Sequence, residues 1–235
     1  MPSLTCFHYR FTPPWLMIFI TTLVFSLLMK LGVWQLHRAE EKQKMLQASA
    51  NQLQNKPLNL EDWLKTKHSS SDLVQYQRIE TQGSYLNYTF LLDNQHRQHQ
   101  FGFNVLTPLL LSNGTIILVD RGWIPGDNSR RSHPEVKTTK KPVILQGTVY
   151  FPSKNTWLLG PNSEKIKTNV TLLESIDFKL TSQILQKTVY PFIIRLDKNQ
   201  PNGFVRDWPI VSMPPQKHFA YALQWFAMAL VVLVL

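Results

Sequence analysis

The chain has 235 residues, with 25 Lys and Arg against 15 Asp and Glu, a formal net charge of +10 and 43% apolar residues. At this length it holds one domain's worth of chain, and its 17% of charged residues falls short of the ~25% usual in a soluble domain, so charge is displaced locally. A single cysteine, Cys6, excludes an internal disulfide framework, a Cys-rich zinc site, an iron–sulfur cluster and a covalent c-type haem motif.

Residues 1–14 form a short tail. From Trp15 to Met29 nothing is charged, then Lys30 interrupts and Leu31, Val33, Trp34 and Leu36 resume the apolar run. At about 1.5 Å per residue the uninterrupted part reaches ~22 Å and residues 15–36 reach ~33 Å, against a hydrocarbon core of ~30 Å. Residues 15–36 are therefore expected to form a first transmembrane helix with Lys30 snorkelling to the headgroups. Pro13 and Pro14 suit its start. The run is too long for the apolar core of a signal peptide, and no small-x-small cleavage site follows it.

Residues 37–217 read as a β-rich domain. Gln43 to Ser71 is polar, with a turn at Lys56-Pro57 and the run Ser69-Ser70-Ser71, which predicts a helix leaving the membrane followed by a loop. From Gln75 short segments rich in Val, Ile, Thr, Tyr and Phe alternate with turn signals, as in antiparallel strands. The expected strands are Tyr76–Gly83, Thr89–Asp93, Phe101–Leu111, Thr115–Asp120, Val143–Tyr150 and Val189–Leu196. Asn113-Gly114 predicts a type I′ hairpin, which needs positive φ at both positions. Gly126–Pro142 carries Arg130, Arg131, Lys137, Lys140 and Lys141 against Asp127 and Glu135; without interleaved aromatics it reads as a solvated surface loop and not a nucleic-acid patch. Leu172–Gln186 reads as one amphipathic helix with Leu173, Ile176, Leu180, Ile184 and Leu185 on one side.

After Lys217 the chain carries no charge, and from Phe219 to Leu235 only Gln224 is strongly polar. Residues 218–235 are expected to form a second transmembrane helix, since seventeen residues make ~26 Å and the apolar side chains surround the whole helix. The fold class is thus a membrane-anchored α+β chain, two transmembrane helices bracketing a mainly antiparallel β domain with one or two helices. Two spans put both termini on one side of a bilayer. The 14 residues before the first are too few and too poor in arginine for a mitochondrial presequence, which points to a bacterial inner membrane.

A search for catalytic constellations finds no Gly-x-Gly-x-x-Gly, no phosphate-cradling loop, no His-Glu-x-x-His and no Gly-x-Ser-x-Gly. His96 and His99 form a His-x-x-His at a polar hairpin tip, with Asp93 alone in reach as a third ligand, so a solvated turn is the better reading than zinc. The Asn-x-Thr triplets at Asn87, Asn113 and Asn169 bear on glycosylation only in an endoplasmic reticulum lumen. The membrane edges say more. The first span leaves through Trp34, Gln35 and Arg38, and the second enters through His218, Tyr221 and Trp225, which share a helical face as i, i+3 and i+7. A histidine at the mouth of an apolar helix pair, with an arginine on the adjacent helix, suits haem: imidazole to iron, guanidinium to propionate, aromatic walls to the macrocycle. Trp, Tyr, Arg and His also form interfacial belts that hold no ligand.

Five segments in order, Leu31-Gly32-Val33-Trp34-Gln35-Leu36-His37-Arg38, Gly83-Ser84-Tyr85, Gly102-Phe103-Asn104-Val105-Leu106-Thr107-Pro108-Leu109, Leu118-Val119-Asp120-Arg121-Gly122-Trp123-Ile124-Pro125 and His218-Phe219-Ala220-Tyr221-Ala222-Leu223-Gln224-Trp225-Phe226, resemble the signatures of the surfeit-locus family of cytochrome c oxidase assembly proteins. The resemblance implies two membrane helices bracketing a domain on the outer, periplasmic side of the inner membrane, with both termini cytoplasmic. It implies an assembly factor without catalytic turnover that helps haem a reach or mature in subunit I of the haem–copper oxidase, with other oxidase assembly factors and the lipid bilayer as partners and no nucleic acid. His218 corresponds to the histidine proposed to hold haem a in bacterial members, making it the candidate iron ligand, with Arg38, Tyr221, Trp225, Trp34 and Gln35 around it. The family has Asn two residues before that histidine where this chain has Gln216. Arg121, Gly122, Trp123 and Pro125 form a motif expected either to stabilise a corner, Gly122 letting the backbone turn so that Trp123 packs beneath the strands, or to dock a partner. The alternative function is a structural scaffold for subunit I that binds no haem.

Overall fold

The computed structural model describes residues 4–6, 9–11, 14–66, 72–127, 129–139, 141–152 and 160–234. The Ser69–Ser71 run, Lys140 and Leu235 lie outside the described residues. The chain forms two compact units, residues 1–48 with 209–235, and residues 49–208.

The first unit opens with a pair of short antiparallel strands, β1 (Leu4–Cys6) and β2 (Tyr9–Phe11), and contains two helices long and apolar enough to cross a membrane. Helix α1 runs unbroken over Trp15–Gln54, eighteen residues beyond the expected span, because nothing between Arg38 and Gln54 breaks a helix and the polar stretch is rich in Ala, Glu, Lys, Gln and Leu. Its first free amides begin after Pro14, whose carbonyl accepts from the Met17 and Ile18 amides.

The second unit is a mixed nine-stranded sheet. In chain order it is built from β3 (Leu58–Asn59), helix α2 (Leu60–Lys65), β4 (Arg78–Tyr85), β5 (Thr89–Arg97), β6 (Gln100–Leu110), β7 (Ile116–Pro125), β8 (Val143–Tyr150), β9 (Ser163–Lys167), β10 (Val170–Leu173), helix α3 (Phe178–Leu185) and β11 (Val189–Leu196). The sheet order is β3-β4-β8-β11-β7-β6-β5-β10-β9, antiparallel apart from the β3–β4, β5–β10 and β7–β11 pairs. β4 also pairs with β6 through Ser84 and Tyr85, so β4, β8, β11, β7 and β6 close into a five-stranded barrel, and β5, β10 and β9 extend from its side.

Closure explains why β7 reads as a continuous apolar run. Ile117 and Val119 point inward with Ile79, Leu109, Val149, Phe192 and Ile194, while Ile116 and Leu118 point outward with Leu106 and Ile193 beneath α3. A strand buried on both faces loses the apolar–polar alternation of a half-exposed one. Leu60, Trp63 and Leu64 of α2 pack against the inward cluster.

Three readings of the sequence are corrected. The segment after α1 is not a plain loop: Asn59 accepts from the Asp62 amide at 3.2 Å and caps α2. Leu172–Gln186 is not one helix. Its first residues belong to β10, and α3 starts only after Asp177, whose Oδ1 accepts from the Lys179 and Leu180 amides at 2.8 and 3.2 Å. The hairpin at Asn113-Gly114 has positive φ at Gly114 alone; the Gly114 amide bonds Leu111 O and the Leu111 amide bonds Thr115 O, a three-residue loop. Positive φ at two successive tip residues occurs instead at Gln98 (49°) and His99 (64°), between β5 and β6. The basic 126–142 segment is a surface loop, as expected: none of its described residues is buried, and Arg130 anchors it 4.5 Å from the Phe101 ring and 3.5 Å from the buried Asp93 carboxylate.

Candidate functional site

Helix α4 (Pro215–Val234) runs antiparallel to α1. On α4 the buried positions are Pro215, His218, Ala222 and Ala229, with Trp225 half-buried between them; on α1 the covered line is Phe25, Leu28, Gly32, Gln35 and Ala39. Both lines step by alternate threes and fours, the spacing that keeps one seam facing another helix. Small residues let the two approach: a Cβ on Gly32 would lie 2.4 Å from the Phe226 ring.

One polar bond crosses this seam. His218 is 9% exposed, and its Nδ1 lies 2.7 Å from Gln35 Oε1. An amide oxygen can only accept, so Nδ1 carries a proton, and in the neutral imidazole the lone pair is then on Nε2. That Nε2 is buried and has no hydrogen-bond partner. A buried polar atom left without a partner costs on the order of 1–3 kcal/mol, and native structures hold few of them.

The other residues of the expected site flank this pair. Trp34 and Arg38 lie about 100° and 60° to one side of Gln35 on α1, and Tyr221 about 60° to one side of His218. Since the helices run antiparallel, both flanks open on the same side. The Arg38 guanidinium sits 5.9 Å from the Trp34 ring centroid and pairs with Glu41 at 2.5 Å. Tyr221 and Trp34 are 42% and 50% exposed, so Tyr221 stands beside the buried line and not in it. The seam of Gly32, Ala39, Ala222 and Ala229 is the part of this arrangement that the sequence reading missed; its signal was the three-four spacing of small residues.

Arg121, Gly122 and Trp123 occupy a different environment. β7 does not end at Asp120. Between the pairs Leu106–Asp120 and Asn104–Trp123, Val105 faces both Arg121 and Gly122, a β-bulge after which pairing resumes as far as Pro125. Gly122 has φ +116°, and a Cβ there would lie 2.7 Å from Val205 O. The Phe204 amide donates to Arg121 O at 2.7 Å, and Trp123 and Val205 exchange two backbone bonds. Arg121 is 3% exposed and donates to Asn202 O, Lys137 O and the hydroxyls of Thr107 and Thr138, with its guanidinium over the Tyr85 and Phe204 rings. Among the described residues no carboxylate pairs with it. Burial depresses the Arg121 guanidinium and pushes the Tyr85 phenol up to about 12. The Trp123 indole covers Gly102 and donates from Nε1 to Gln95 O at 2.8 Å, while Pro125 is exposed at the strand end. His96 and His99 join no group of three metal-binding side chains among the described residues.

The chain matches the SURF1 family model over residues 22–230. It is similar to the SURF1-like protein of Rickettsia conorii, 25% identical over 224 residues covering 92% of this chain and 88% of that protein, and to that of Rickettsia felis, 26% over 232 residues covering 92% and 93%. A SURF1-like protein of Dictyostelium discoideum shares 30% over 100 residues, 40% of this chain and 37% of that one. A match that takes in both long helices and the whole sheet unit places the chain in the SURF1 family, whose members are known as cytochrome oxidase assembly factors.

Proposed function

We propose that this chain is a two-pass protein of a bacterial inner membrane, with both termini cytoplasmic and the sheet domain periplasmic, which assists haem a in reaching or maturing within subunit I of the oxidase without catalytic turnover. The observation that carries the haem part is the unpartnered Nε2 of His218. A histidine that ligates a metal through one ring nitrogen donates the other to a fixed acceptor, which sets tautomer and ring orientation. Gln35 supplies that acceptor. The residues present fit the group: His218 Nε2 for the iron, Arg38 for a propionate, Trp34, Tyr221 and Trp225 as apolar walls. Haem a held there would supply an iron centre, and the His218 imidazole would be its protein ligand. The two helices, long and apolar enough to span, and family membership support the membrane and oxidase parts of this reading.

The absorption spectrum of the detergent-solubilised chain, purified from cells that make haem a, tests it. The wild type is expected to carry a Soret band, His218→Ala to lose it while still inserting, and Gln35→Leu to shift or weaken it by freeing the ring. A band unchanged in His218→Ala removes the assignment from that residue. A colourless wild type that still co-purifies with subunit I supports the scaffold reading instead.

A further inference from the structure

The barrel's outer face carries a polar row that the Arg121 side chain does not use, touched by its motif through the Gly122 amide. Arg195 of β11 stands beside Asp120 of β7 in register, and Asn104 of β6 follows across the next strand, donating to Asp120 Oδ2 at 3.2 Å. α3 covers the neighbouring part of this face, through Ile193, Leu106 and Leu118, and stops short of the row. There a cleft of about 290 Å³ opens, with Asp120, Asn104 and Arg195 among its lining residues and Leu92, Ile176 and Glu174 on its walls.

Neighbouring strands that place an arginine beside a buried aspartate would ordinarily pair them. Here they do not. The Arg195 guanidinium turns away and lies 3.5 Å from the Tyr150 ring centroid and 5.3 Å from that of Trp208. Its Nε is buried without a hydrogen-bond partner, and among the described residues no carboxylate forms an ion pair with it. Two rings thus hold the fork rigid while its donors stay unused, which is how a guanidinium is prepared for an incoming planar anion. Of the cleft's acceptors, three carboxyl oxygens are occupied. Asp120 Oδ1 takes the Gly122 amide and Oδ2 takes Asn104; Glu174 Oε2 takes Asn94. Arg195 is the one cation among the described residues that line it. Two carboxyl groups on its walls oppose a second negative charge, and Leu92 and Ile176 offer an apolar bed.

We infer that this cleft receives a small molecule bearing a single carboxylate on an apolar body, with the Arg195 guanidinium as the anion-binding group. The inference is independent of the haem reading, since none of its residues lies on α1 or α4.

Benzoate is a suitable probe, titrated by saturation-transfer NMR against the full chain in detergent, with benzamide and inorganic phosphate as comparison ligands. Benzoate is expected to saturate, while neutral benzamide, of the same shape, and doubly charged phosphate each bind at least tenfold more weakly. Arg195→Gln should weaken benzoate by tenfold or more with the melting temperature little changed. Glu174→Gln, on the exposed rim and still able to accept from Asn94, should tighten it several-fold, and decides the matter should Arg195→Gln fail to fold. Equal binding of benzoate and benzamide, unaltered affinity in a folded Arg195→Gln protein, or no gain in Glu174→Gln would each overturn the assignment.

Discussion

His218 and Arg121 are both nitrogenous groups withdrawn from water, 9% and 3% exposed, and the molecule treats them in opposite ways. Arg121 is given an acceptor or a ring for nearly every direction its fork can point: two backbone carbonyls, two hydroxyls, two aromatic faces. His218 is given one acceptor, and its second nitrogen is left buried and bare. Full satisfaction fixes a fold, and a deliberate remainder leaves something for a ligand to do. The contrast also separates two kinds of motif that a linear sequence prints in the same way, since both stand out as short runs of Arg, Trp, Gly and His.

Replacing Arg121 should produce the largest change in stability. Arg121→Met removes the cation and leaves Asn202 O and Lys137 O without donors in a site closed to water, a loss of about 4 kcal/mol by analogy with breaking one side of a buried charged contact. Urea unfolding followed by tryptophan fluorescence should show it, and a midpoint equal to that of the wild type would assign Arg121 to a docking surface after all. Gly122→Ala comes next. An alanine must adopt φ +116° and bring its Cβ to 2.7 Å from a backbone carbonyl that cannot swing aside, so a loss of about 2–3 kcal/mol is expected in the same assay. Neither substitution touches the helix seam.

Asp120 offers a pH-dependent version of the same contrast. It is 2% exposed, and burial pushes its carboxyl up to about 7, against the pull of Arg195 and the bonds from Gly122 and Asn104. Between about pH 4 and pH 7 the folded chain therefore holds a proton that the unfolded chain has released. Stability from this group is full below that window and falls as pH rises through it, by a quantity of order 4 kcal/mol. Asp120→Asn is neutral throughout and should lose that part of the slope. Melts of the two proteins at pH 4.5, 5.5 and 7.5 test this; parallel curves would mean that Asp120 is already ionised across the range.

Much of the sheet was legible because its strands carry their own pattern. Val143–Tyr150 and Val189–Leu196 have the bounds that alternation assigned them. β9 was not legible, since Ser-Glu-Lys-Ile-Lys at a sheet edge has no apolar face to report. The end of β10 was misread as helix because Leu173, Ile176, Leu180 and Ile184 happen to satisfy a three-four spacing across a strand, a turn and a helix, and only Asp177 as a cap separates them. For the candidate sites the limit was register. His218 and Gln35 could be placed at one membrane edge from the lengths of their spans, but the bond between them depends on the rotation of two helices. The row of Asn104, Asp120 and Arg195 joins residues that meet only through strand pairing, and an extra residue in the bulge at Arg121-Gly122 shifts every alternation after it.

The smallest effect is expected at Gly32, and it sharpens the comparison with Gly122. Both glycines are crowded, and a Cβ at Gly32 would come even closer to its neighbour, 2.4 Å against 2.7 Å. The neighbour at Gly32 is the far edge of the Phe226 ring, however, at the end of a side chain with two rotatable bonds, and the backbone there is ordinary helix. Ala is the better helix former by up to about 1 kcal/mol, which offsets part of the work of turning the ring. Gly32→Ala should therefore change stability by less than about 1 kcal/mol. Because Gly32 lies one turn from Gln35 on the same seam, displacing Phe226 should be read out in the environment of the His218 ring, as a shifted imidazole NMR signal. A loss as large as that of Gly122→Ala would mean that the helix pair is packed as rigidly as the barrel, with no slack beside His218.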